Sequence, residues 1–151
     1  MSSDLATAVY REAQLLDAQC WDEWLALYAV DCRYWVPLSH DQTDAHCEQS
    51  IAFEDRMLLE VRIERLKAGR APSQHPGTRA QHVLQAPAVD ATTLTTRTPF
   101  FYVEARNDTQ LVFAGVATHR FVREHDALKI ALKRIDLVNA HAVLPPIFLI
   151  L

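Results

Sequence analysis

The stretch Cys20–Leu38, CWDEWLALYAVDCRYWVPL, most constrains the fold. Trp21, Trp24, Leu25 and Tyr28 recur at helical spacing, so an apolar stripe with two indoles faces away from Asp22 and Glu23. The segment Arg33–Leu38 is aromatic and β-branched and runs into Pro37, which lacks the amide that a central ladder needs. A short helix followed by a short edge strand is therefore expected, with Asp31 and Cys32 as the hinge. The large aromatics around that hinge each bury on the order of 150–250 Å² and predict the centre of a core.

The flanking sequence extends this pattern. Ser2, Ser3 and Asp4 are candidate N-caps for a helix whose face carries Leu5, Val9, Ala13 and Leu16, with Asp17 as its exit and as the cap of the next element. Ser39 to Ser50 is polar and without period, which predicts a loop. A charged helix is expected from Glu54 or Asp55, with Leu59, Ile63 and Leu66 inward, Gly69 as its C-terminal stop and a turn-rich connection from Arg70 to Gly77.

From Thr78 onward the pattern is of long strands and brief turns. The segment starting at Gln81 is interrupted by Pro87. In the next strand Leu94, Thr96, Thr98, Phe100 and Tyr102 share one side. Turns are expected at Asn107–Gln110 and Glu124–Asp126. In the last strand Ile130 and Leu132 have one parity and Ile135 and Leu137 the other, which predicts a bulge near Lys133 and Arg134. Helices first and an antiparallel meander last is an α+β arrangement, a curved sheet wrapped around helices as a cone with an interior. The apolar end, Val143–Leu151, is expected either to finish the sheet or to insert into a partner.

A chain of 151 residues with a formal charge of −4 is expected to form one domain over residues 1–151 and offers no electrostatic reason to bind nucleic acid or an anionic membrane. The odd cysteines Cys20, Cys32 and Cys47 point to a reducing cytoplasm, and no stretch has the apolar length of a membrane span. His40, His46 and Cys47 are the nearest approach to a metal-ligand cluster but lack recognised spacing, so no metal site is expected. Gly69, Gly77 and Gly115 are too scattered for a phosphate loop. The residues leave a pocket open as an alternative. A carboxylate or histidine inside the cone could move protons beside a bound carbonyl, with Tyr28, Tyr34, Asp31, Asp55, His82 and His119 as candidates. Each also has a plain reading: the tyrosines as core, Asp31 as a turn residue, Asp55 as a helix cap and the histidines as satisfied strand residues. Arg79, Arg97, Arg120 and Arg134 fall in strands without matched acids, which suggests a protein interface.

Tyr10-x-Glu12-Ala13-x-Leu15-Leu16-Asp17, then Trp24-Leu25, Asp31 and Tyr34-Trp35-Val36-Pro37, resembles the opening block of the small (β) subunits of aromatic-ring-hydroxylating dioxygenases. A second block, Asp55-Arg56, Arg62, Arg65-Leu66, Gly69, Pro76, Arg79, His82 and Val83, resembles the same family, as does the later Lys133-Arg134-x-Asp136. The resemblance implies a cystatin-like cone, the fold of nuclear transport factor 2 and ketosteroid isomerase. It further implies a structural subunit without catalytic, cofactor-binding or metal-binding residues. Its expected partner is a large α subunit carrying a Rieske 2Fe–2S cluster and mononuclear iron, commonly around a β trimer in an α3β3 hexamer that acts in aromatic-compound catabolism. A stand-alone isomerase or dehydratase of the same fold, or a ligand-binding module, is the alternative.

Overall fold

The computed structural model describes residues 2–44, 49–69, 77–142 and 144–151. Helix α1 spans Ser2–Asp17 and buries Leu5, Val9, Ala13 and Leu16 as expected, with Leu15 and Glu12 beside them. It closes without a glycine. Gln19 takes a left-handed φ of 55°, so Cys20 N–H reaches Leu15 O at 2.9 Å and Gln19 N–H reaches Leu16 O at 3.0 Å. Helix α2 is confined to Trp21–Leu25, and its N-cap is Cys20 rather than Asp17.

Strand β1 runs from Tyr28 to Pro37, so Tyr28 opens a strand instead of closing a helix. The hinge expected at Asp31 and Cys32 survives as an irregularity in the pairing, between Tyr28 opposite Ile130 and Arg33 opposite Leu132. The strand is not at an edge: it lies between β2 (Ser50–Glu54), which pairs with it antiparallel, and β7 (Ala127–Leu137), which pairs with it parallel. Pro37 is tolerated because it is the last residue and sits at a register shift. Strand β2 was not expected, since a polar loop precedes it. Of the two expected starts of helix α3, Glu54 ends β2 and Asp55 is the N-cap: α3 covers Arg56–Ala68, and the Asp55 carboxylate accepts from Leu58 N–H at 3.0 Å. Gly69 ends α3 in right-handed geometry, bonding Arg65 O at 3.1 Å. The connection from Arg70, and the pair His46 and Cys47, lie outside the described residues.

The remaining strands are β3 (Arg79–Leu84), β4 (Ala88–Asp90), β5 (Thr95–Arg106) and β6 (Thr109–Glu124). Among the described residues they form one seven-stranded sheet in the order β2-β1-β7-β6-β5-β3, with β4 also on β5. His125 and Asp126, with φ of 49° and 65°, turn the β6–β7 hairpin in the left-handed geometry that such turns favour. The inner face of β5 carries Thr96, Thr98, Phe100 and Tyr102, the side read from the sequence. The bulge in β7 falls two residues earlier than expected: Arg120 faces Leu132 and Phe121 faces Ile130, leaving Ala131 as the extra residue. Its consequence is chemical. The parity change turns Lys133 inward, in line with Ile135 and Leu137.

The end of the chain neither finishes the sheet nor stays free. Leu149, Ile150 and Leu151 enter the chain's own core. Glu104, buried on β5, holds them there by accepting from Phe148 N–H at 3.0 Å, Leu149 N–H at 2.7 Å and Tyr102 O–H at 2.7 Å.

Candidate functional site

The inner face of the cone is organised by Glu12. It lies on the apolar stripe of α1 and is 2% exposed, so its charge needs partners at close range. Its Oε1 accepts from Trp24 Nε1 at 3.1 Å, Tyr28 O–H at 3.0 Å and Lys133 Nζ at 2.9 Å, and its Oε2 accepts from His119 Nε2 at 2.6 Å. These four donors match the acceptor capacity of a carboxylate. Burial works against the charge, but the Lys133 ammonium and His119 outweigh it and hold the Glu12 carboxyl well below the usual range. Lys133, 3% exposed, gives a second hydrogen bond to Leu151 O at 2.8 Å and lies 6.0 Å from the Tyr34 ring.

The sequence-derived candidates divide around this cluster. Tyr28 and His119 contact Glu12 directly, and Tyr34 O–H reaches Leu151 O at 3.4 Å. Burial, followed by the neighbouring Glu12 carboxylate, pushes the Tyr28 phenol well up. Burial likewise raises Tyr34, so both remain phenols and serve as donors. His82 forms a separate pair with Asp17 at the end of α1: the carboxylate accepts from His82 N–H at 3.0 Å and holds the ring Nδ1 at 2.7 Å. Asp55 is a helix cap, and Asp31 is exposed beside Arg33. A cavity of about 10 Å³ lies between the two histidines, lined also by Glu12, Thr98, Lys133 and Leu151. That is the scale of one water, far below the roughly 300–1,000 Å³ of a site for a drug-sized ligand. Among the described residues no group of three or more histidine, cysteine, aspartate or glutamate side chains could hold a metal ion.

The outer face of the same sheet is apolar. Val83 lies opposite Phe101 and Phe101 opposite Ala114, while Val103 lies opposite Val112 in the adjacent register. Phe101 and Val112 are 56% and 59% exposed. Arg79, Arg97 and Arg120 are exposed on this face, and among the described residues no salt bridge joins any of them to a carboxylate. Arg134 differs from them: it is held by Asp136 at 3.0 Å, by Gln42 O at 2.5 Å and over the Trp35 ring at 4.5 Å. It braces the sheet. Glu12, Glu104 and Lys133 were given no chemistry in the sequence reading. A glutamate seven residues after Leu5 on an apolar helix face was a usable signal for the first.

Among the described residues no helix is long and apolar enough to cross a membrane. The chain is 35% identical over 85 residues to the 2-halobenzoate 1,2-dioxygenase small subunit of Burkholderia cepacia, a match covering 52% of this chain and 51% of that protein. It is 27% identical over 137 residues to the small oxygenase component of the p-cumate 2,3-dioxygenase system of Pseudomonas putida, covering 87% and 76%. The matches thus span about half the length of several curated relatives. The crystal structure of the benzoate 1,2-dioxygenase beta subunit from Burkholderia mallei superposes with a TM-score of 0.77 at 30% identity, covering 98% of this chain and 96% of that one. The family described as ring hydroxylating beta subunit matches residues 11–143. With the helix-filled cone and the long match together, the chain belongs to the β subunits of ring-hydroxylating dioxygenases.

Proposed function

We propose that this chain is a structural, non-catalytic β subunit of an aromatic-ring-hydroxylating dioxygenase acting in aromatic-compound catabolism. In this reading it works in the cytoplasm beside an α subunit that carries the Rieske cluster and mononuclear iron, and its copies form a trimer within an α3β3 hexamer. The apolar outer face of the sheet carries the proposal. An exposed cluster of Val83, Phe101 and Val112, with the half-buried Val103 between them and arginines at its rim, is costly in water and is covered when a partner packs on it. The strand arginines Arg79, Arg97 and Arg120 fit that surface. The apolar tail does not, because its last residues are spent in the chain's own core.

The alternative, a stand-alone isomerase, dehydratase or ligand-binding module, draws its residues from Tyr28, Tyr34, Asp55, His82 and His119. The interior weighs against it. The cavity is of water size, Asp55 is engaged at a helix start and Glu12 already has its donors. Purification of the tagged chain from its native host, with mass and iron measured on whatever accompanies it, tests the proposal. A larger iron-containing subunit in equal number is the expected result. A metal-free oligomer of this chain alone, turning over or binding a small carbonyl compound, would overturn it.

A further inference from the structure

Three buried polar atoms of the inner face have no hydrogen-bond partner among the described residues and belong to side chains that line one cavity: His82 Nε2, Thr98 Oγ1 and His119 Nδ1. We propose that this cavity is a binding site for a single ordered water, which joins the Asp17–His82 pair to the Glu12–His119–Lys133 cluster.

The chemistry of the three atoms selects the ligand. A carboxylate only accepts, so the ring nitrogen against it carries the hydrogen: Nδ1 of His82 toward Asp17 at 2.7 Å, and Nε2 of His119 toward Glu12 at 2.6 Å. In the neutral imidazole the opposite nitrogen of each ring is an acceptor, and these are the two imidazole atoms without a partner. Water brings two O–H donors, one for each nitrogen, and accepts the Thr98 hydroxyl in return. Its remaining acceptor position faces Lys133, whose ammonium has a third proton beyond those given to Glu12 and Leu151 O. Water therefore satisfies all three of these atoms with its normal complement of about three to four hydrogen bonds.

Other occupants fit less well. An anion such as chloride needs donors where the two rings present acceptors. A divalent cation would have only two imidazole ligands and would face the Lys133 ammonium across the same cavity. An organic ligand exceeds about 10 Å³. The two carboxylate–histidine pairs thus act as positioning groups: Asp17 and Glu12 fix which nitrogen of each ring faces the water. The site links the end of α1 and the inner faces of β3, β5, β6 and β7 through one molecule.

The test combines a high-resolution crystal structure of the full chain with imidazole nitrogen NMR at pH 7, on wild type and on Thr98→Val. One density peak within hydrogen-bond distance of all three atoms is expected, refining as oxygen without anomalous signal. The NMR is expected to show hydrogen on Nδ1 of His82 and on Nε2 of His119. Thr98→Val, which keeps the shape and removes the hydroxyl, is expected to lose the peak or most of its occupancy. A cavity without density in wild type, an anomalous scatterer at the peak, or the opposite tautomer at either ring would overturn the proposal. The wild-type spectra decide the question even if the variant does not fold.

Discussion

On the inner side of β5 and β6 lie Glu104, His119 and, from the neighbouring β7, Lys133, all buried; on the outer side of β5 and β6 lie Phe101, Val103 and Val112. These positions depart from the usual alternation of a half-buried sheet, which their neighbours keep: Phe100, Tyr102, Phe113 and Ile135 face in, and Arg97 and Arg120 face out. The inner charges are tolerated because each has its partners in place: Glu12 takes four donors, and Glu104 takes the tail amides and Tyr102. The outer apolar residues have no such arrangement among the described residues. The contrast teaches that the charged interior finds its partners within the chain, apart from the few atoms left to one water, whereas the apolar exterior is, in the proposed function, completed by another molecule.

The inner half of that comparison breaks most easily at Glu12. Glu12→Ala strands the Lys133 ammonium in the core, and urea unfolding is expected to show a loss of about 3–5 kcal/mol. A loss under about 1 kcal/mol would mean that bulk solvent, beyond the single ordered water, reaches the cluster and hydrates the Lys133 ammonium. A smaller effect should appear on acidification. Because Glu12 is held low in the folded chain, the unfolded chain takes up a proton first once the pH drops below the ordinary value of 4.5. The stability Glu12 contributes is therefore fully present above that value and drains away as the pH falls. Wild type should lose stability more steeply below about pH 4.5 than Glu12→Gln does. Parallel curves would remove Glu12 as the acid-sensitive group. The outer half is sharpened by Arg97→Ala, a rim position. It should leave the melting temperature unchanged and weaken assembly by less than about 1 kcal/mol, with the effect shrinking at high salt in a titration of complex formation.

Much of the fold was legible because its signals are local. The stripe on α1, the Asp55 cap, the inward parity of β5 and the turn at His125 and Asp126 each depend on residues within one or two turns of each other. The site was less legible because its charges are buried by long-range geometry. Lys133 reads as a surface lysine until the extra residue at Ala131 reverses its face, and nothing local pairs it with Glu12, 121 positions away. Strand β2 was hidden by the polar loop before it, and the place of β1 inside the sheet depends on its parallel pairing with β7, a contact distant in sequence. The apolar tail was recognised as needing cover. That the cover comes from the chain itself rests on Glu104, whose role only the fold reveals.

The central claim, a closed interior and an exterior completed by a partner, is met most directly by Phe101→Glu. The variant is co-expressed with the proposed larger iron-containing subunit, and native mass spectrometry of the purified material is read beside the melting curve of the chain alone. The account predicts a folded variant, within about 0.5 kcal/mol of wild type, that has lost its partner by a factor of about 30 or more, as expected for a central interface aromatic. A variant that assembles like wild type, or one that unfolds before assembly can be tested while Glu12→Ala remains stable, would contradict it.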